Sequence, residues 1–134
     1  MSAGASSFIA GYLAGDDDEW IYIDIEDQHR DSIRFVHDCE KVIGKEIKIL
    51  KSSQYKNVED CVRMFGGFKD ARNGFAPCTN WLKKRVRKEW EDEHKRDMIT
   101  YVWGFDANEK KRADRLVESM NSFEHEFPLI DKGL

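Results

Sequence analysis

The chain has 134 residues, 40% apolar and 36% charged, with 22 Lys and Arg against 26 Asp and Glu for a net charge of −4. That length supports one domain with a real core, and the apolar content excludes a disordered chain. The acidic balance removes any general bias toward nucleic acid, and no apolar run reaches membrane-spanning length.

Cys39, Cys61 and Cys78 stand far apart, with no Cys-x-x-Cys or Cys/His ligand spacing. This disfavours zinc, an iron–sulfur cluster and a disulfide framework, and it fits a reduced, cytoplasmic setting. Residues 8–14 are too short and interrupted for a membrane span, and no positive stretch precedes them as in a secretory signal. Positive charge is uneven. Lys83, Lys84, Arg85, Arg87 and Lys88 crowd one stretch, while residues 16–19 form an acidic run that reads as a solvated surface.

In chain order, residues 2–7 form a small, hydroxyl-rich loop leading into a helix over 6–14, with Phe8, Ile9, Tyr12 and Leu13 on its buried side. Residues 20–25 read as a strand rich in β-branched and aromatic side chains. Asp31 or Ser32 caps a helix that carries Ile33, Val36, Cys39, Glu40 and Ile43 and stops at Gly44. A short strand over 46–50 follows. Asn57 caps a helix with Val58, Cys61, Val62 and Phe65 on one face, ended by Gly66-Gly67. Pro77-Cys78-Thr79 introduces a helix in which Leu82, Val86 and Trp90 recur every four residues beside a basic face. Residues 98–105 read as a strand, 108–120 as a helix with Ala113, Leu116, Val117 and Met120 inward, and 127–130 as a last short strand. Pro128 suits a strand start or an edge. This alternation predicts an α/β fold with a mainly parallel sheet, whose ligands bind at the carboxyl ends of strands where strand order reverses.

Four segments sit where that rule places chemistry. They are Ser2-Ala3-Gly4-Ala5-Ser6-Ser7, residues 24–32 after the first strand, residues 72–79 with the basic helix behind them, and residues 104–112 after a later strand. Small residues let backbone N–H groups approach a phosphate, and a helix N-terminus favours an anion.

In this order the segments resemble the sulfonucleotide (phosphoadenosine phosphosulfate) reductase-like family of the PP-loop adenine-nucleotide α-hydrolase superfamily. The first resembles S-G-G-x-x-S/T. The second resembles D-T-G-x-E-H-P-E-T-x-x-F, with Asp24, His29, Asp31, Ser32 and Phe35 in register. Cys78-Thr79-Asn80-Trp81-Leu82-Lys83 resembles C-T-x-x-L-K. The last resembles G-x-R-A-D-E-x-x-R, with Gly104, Ala107, Glu109 and Arg112 in place. The resemblance covers nearly the whole chain. It implies a three-layer Rossmann-like fold of the adenine nucleotide alpha hydrolase-like type, forming a single domain over 1–134. A phosphate loop follows a β-strand in such folds, so the first strand of this sheet is expected to be missing. Two neighbouring strands would then pair directly, or another chain would cover the open edges, and a dimer is expected.

The resemblance further implies an adenine nucleotide such as ATP as ligand, with Mg²⁺ and without an iron–sulfur cluster. Residues 4–7, with the Ser2, Ser6 and Ser7 hydroxyls and Gly4, would hold a phosphate; a frayed terminus is the plain alternative. Asp24 would contact ribose, adenine or Mg²⁺, or else serve as a surface or capping aspartate. His29 is a nucleotide contact or a surface histidine. Lys83 and Arg85 are phosphate partners or a solvated helix face. Gly104 allows close approach, and Glu109 and Arg112 line the site or pair across one helix turn. Cys78 follows a proline at a helix start, which would lower a thiol pKa, but a small buried residue is the plainer reading for all three cysteines.

Departures from the pattern shift the expected function. Ala3 stands for a glycine, Ala5 for a frequent lysine and Asp106 for an arginine, which removes positive charge from the site. Neither the redox cysteine of the reductases nor a cluster's paired cysteines occurs in these residues, so sulfonucleotide reduction is not expected. The expectation is nucleotide binding, with Mg²⁺-dependent cleavage between the α- and β-phosphates as its catalytic form. The alternative is a binding or inhibitor module of mobile-element type that kept the scaffold and acts on a macromolecular partner.

Overall fold

A computed structural model of the chain describes residues 1–15, 19–26, 29–67, 80–94 and 99–134. The expectations that rest on residues 72–79, including Cys78, lie outside the described residues.

The first half of the chain is a β–α–β unit. Strand β1 (Ile21–Ile23) pairs in parallel with β2 (Lys48–Leu50), with Tyr22 opposite Ile49. Helix α2 (Asp31–Ile43) connects them, and its apolar residues recur at helical spacing, so one stripe faces the sheet. Trp20, Tyr22, Val36, Cys39 and Ile47 form the buried cluster between them. Gly44 ends α2 and Gly66 ends α3 (Val58–Phe65), at φ 67° and 73°. Those left-handed angles are ones glycine adopts without strain. Asn57 caps α3, its side chain accepting from Asp60 N–H at 2.8 Å. A second buried cluster, Ile25, Cys61 and Leu82, is roofed by Tyr55, Val58, Phe65 and Trp81. Leu82 comes from a π-helical turn, Asn80–Lys84, that runs into α4 (Arg85–Glu93).

The second half repeats the plan. Strand β3 (Thr100–Val102) pairs in parallel with β4 (Glu124–Glu126), and α5 (Lys110–Ser119) joins them after a 3₁₀ turn, Ala107–Glu109. Tyr101, Trp103 and Phe105 lie against His125 and Phe127 of the neighbouring strand and its extension, with ring centroids 6.1–6.2 Å apart across the strands. Trp103 Nε1–H donates to His125 Nδ1 at 3.0 Å, and the other ring nitrogen of His125 donates to the Met120 carbonyl at 2.8 Å. One tautomer satisfies both bonds. Glu91, 4% exposed, reaches this layer from α4, accepting from the Tyr101 hydroxyl and lying 3.4 Å from Arg87 Nε.

The parallel direction expected of the strands is observed, but the four described strands pair two by two, in two separate two-stranded sheets. Helix α1 (Ala5–Ala14) contacts both halves. Phe8 packs on Trp20 at 5.9 Å, and the start of the helix meets Gly104, two residues beyond β3. The expected strand at 127–130 is corrected: β4 lies earlier, and Pro128–Asp131 is a short helix, α6. Proline's fixed φ and missing N–H suit a first helical turn, where that N–H has no partner to lose. Asp131 N–H donates back to the Phe127 carbonyl at 3.0 Å to close that turn.

Candidate functional site

The loop of residues 2–7 is closed on itself. Ser2 N–H donates to Ser7 Oγ at 2.9 Å, and Phe8 N–H to the Gly4 carbonyl at 3.3 Å. Gly4 is extended and no side chain caps α1, so the first-turn amides of this ten-residue helix take no side-chain acceptor. The Met1 ammonium donates to the Ile21 carbonyl, and burial lowers its pKa from 8.0 to about 6. Gly104 lies directly behind the loop. A β-carbon there would stand 2.6 Å from Ser7 Cα and 2.8 Å from Ser7 N, so the approach needs a residue without a side chain. Ser2, Gly4, Ser6, Ser7 and Gly104 thus form one group, drawn from the first and last motifs.

Asp24 follows β1, where its N–H donates to the Leu50 carbonyl at 2.8 Å. Its carboxylate is largely covered and lies 3.5 Å from Lys51 Nζ, at the end of β2. Asp24 and Lys51 line a cavity of about 210 Å³ together with His29, Arg30 and Ser32, at the carboxyl ends of both strands. His29 is exposed, and its Nδ1 accepts from Asp31 N–H at 3.2 Å, so it shapes the start of α2. Tyr22, buried beneath, has its hydroxyl pKa pushed up by burial and by the Asp24 charge, while a hydrogen bond with Ser32 opposes that.

The remaining expected residues are engaged elsewhere. Glu109 accepts from Asp106 N–H at 3.1 Å and from Arg112 at 2.8 Å, and these bonds hold its carboxyl below the ordinary 4.5. Asp106, which stands where the resembled pattern has arginine, accepts from Asn108 N–H at 2.8 Å. With Glu109 it completes a capping box. The guanidinium of Arg112 lies 4.7 Å over the Phe105 ring, and that of Arg85 4.1 Å over Trp81. Lys83 is exposed on the π-helical turn. No described contact joins Lys83 or Arg85 to the loop or to the cavity. Cys39 and Cys61 are buried, and burial with the nearby Asp38 charge pushes the Cys39 thiol up.

Lys51 and Arg30 were not marked by the sequence. Arg30 lies within the 24–32 segment but sits where the resembled pattern has proline, and Lys51 follows a short, unmotivated strand, so the pairing of β1 with β2 is what brings it to Asp24. Among the described residues no group of three or more His, Cys, Asp and Glu side chains is placed to hold a metal, and no helix is long and apolar enough to cross a membrane. None of the family models, curated proteins or solved structures compared with the chain matches it.

Proposed function

We propose that the chain is an adenine-nucleotide-binding protein of the kind its motifs resemble, with a three-layer Rossmann-like architecture and without sulfonucleotide reductase activity. The observation that carries the reading is the packing of the loop of residues 2–7 against Gly104. Two segments far apart in sequence, each marked independently by its motif, share one small-residue junction at the start of a helix. Small residues at a helix start suit a phosphate. Asp24, at a strand's carboxyl end, is the carboxylate for ribose or for Mg²⁺ held jointly with the phosphates, since Mg²⁺ is ordinarily held by one or two carboxylates and phosphate oxygens. Mg²⁺ would supply charge neutralisation for α/β-phosphate cleavage.

Calorimetry with ATP, AMP and phosphoadenosine phosphate, with and without Mg²⁺, tests the proposal. Binding of at least one is expected, with Ser7→Ala and Asp24→Ala each weakening it about fivefold to tenfold, as loss of a hydrogen bond or charged contact does. No heat with any of the three refutes it.

A second reading, a module acting through a protein partner, draws on a different observation. Ile9, Tyr12 and Leu13 of α1 are exposed, and Tyr12 lines a cavity of about 220 Å³ with Trp20, Val42 and Ile43. Apolar patches of that kind mark contact surfaces. Under this reading Tyr12→Lys abolishes a complex that the unmodified chain forms, while nucleotide binding persists.

A further inference from the structure

The Asp24 cavity carries more positive charge than its own ion pairs consume. Asp24 pairs with Lys51 at 3.5 Å, Glu26 with Lys56 at 3.4 Å and Asp31 with Arg34 at 3.6 Å. Arg30 lines the same cavity and has no carboxylate partner among the described residues. Among the described residues the cavity is lined by two cations, Arg30 and Lys51, and two carboxylates, Asp24 and Glu26; Lys51 and the neighbouring Lys56 pair with the carboxylates, which leaves Arg30 as the cation outside these ion pairs. The positive end of the 13-residue α2 starts at Arg30 and adds to its field, and Asp31 offsets part of that. A guanidinium is always charged and presents a planar fork of donors that fits phosphate oxygens two at a time. The Lys51 side chain is 67% exposed and its stem is flexible, so the ammonium is free to turn from Asp24 toward an incoming anion.

We infer that Arg30 and Lys51 form an anion subsite in the Asp24 cavity that takes a phosphate group of the ligand. This deepens the nucleotide reading and rests on it. The subsite selects ligands with a dianionic phosphate over nucleosides.

The test uses inorganic pyrophosphate and ATP as probes, in calorimetry at low salt and in amide NMR spectra. Arg30→Pro removes the charge at a position whose φ of −54° proline adopts readily. Arg30→Gln repeats the test should that variant fold poorly. The unmodified chain is expected to bind both probes, with shifts at the Ser32 and Ile33 amides. Arg30→Pro and Lys51→Met should each weaken both about tenfold, as loss of a charge-assisted bond to phosphate does. Lys41→Ala, on an exposed turn of α2, should bind as the unmodified chain does. If ATP binds and the Arg30 and Lys51 variants match the unmodified chain, the subsite is refuted and the nucleotide reading stands. Arg30-dependent binding of pyrophosphate without binding of ATP, AMP or phosphoadenosine phosphate keeps the subsite and refutes the nucleotide reading. Binding of neither pyrophosphate nor ATP refutes the subsite.

Discussion

At the level of single residues, the carboxylates of Glu40, Asp60, Asp106 and Glu109 accept from backbone N–H groups. Glu40 is the clearest case. It accepts from Ile47 N–H at 2.9 Å, just ahead of β2, and from His37 at 2.7 Å, so it ties the last turns of α2 to the following strand. Those bonds, the backbone one first, hold its carboxyl below the ordinary 4.5 in the folded chain. A depressed folded pKa means that the stabilisation is complete above about pH 4.5, where the unfolded chain is also ionised. It is lost as pH falls through the lower folded value. Glu40→Gln should therefore lower stability near neutrality and flatten the acid limb below pH 4.5. Denaturant midpoints measured across that range check this; an acid limb unchanged by the substitution would contradict it. In sequence Glu40 appeared only as a member of an apolar stripe. Its partner amide is seven residues away and becomes a partner only once β2 lies beside β1.

Among the elements, those with local chemistry were legible and those held by neighbours were not. The helix α2 follows from helical spacing and Gly44, and α3 from the Asn57 cap and Gly66. Strand β4 is Glu124-His125-Glu126, which has neither alternating apolar residues nor β-branched side chains. It is a strand because β3 offers it a backbone ladder and because His125 fits between Trp103 and Met120. The strand-like segment just after it, Phe127-Pro128-Leu129-Ile130, is claimed instead by a proline-started turn. The junction of α1 with β3 depends on a single absent side chain. Gly104→Ala would push a methyl group against the backbone of Ser7, where nothing flexible can yield. A cost of about 1–3 kcal/mol is expected, as for overpacking elsewhere, together with weaker nucleotide binding. Urea denaturation and calorimetry read the two effects, and wild-type values in both would refute the contact.

For the whole molecule, two β–α–β units share α1, and the two buried clusters lie on either side of the residues that follow β1. Ile25 belongs to the second cluster, while Tyr22 belongs to the first. Two residues of one stretch, Tyr22 and Ile25, thus link the two clusters. Leu82→Ala, at a position 1% exposed, should cost about 2–5 kcal/mol. It should shift one unfolding transition rather than split it, because small single domains unfold as a unit. Fluorescence and far-UV dichroism should report the same midpoint, and separated midpoints would show that the clusters melt independently. The alternation of strand-like and helix-like segments conveyed the α/β class and the parallel strands but not the repetition, and the loop and Gly104 were marked as part of the candidate site. The cations of the Asp24 cavity were illegible, because strand pairing alone brings Lys51 to Asp24.

The bond from Ser2 N–H to Ser7 Oγ has a thermodynamic consequence for whatever binds at the start of α1. Fixing one residue of backbone costs about 1–2 kcal/mol of conformational entropy at room temperature. A terminus that became ordered only around its ligand would spend that cost over several residues, and its binding would show a large unfavourable entropy offset by enthalpy. Here the ring spanning residues 2–7 is closed before a ligand arrives. The ordering has already been met by folding, so the ligand's binding energy goes into affinity rather than into shaping the loop.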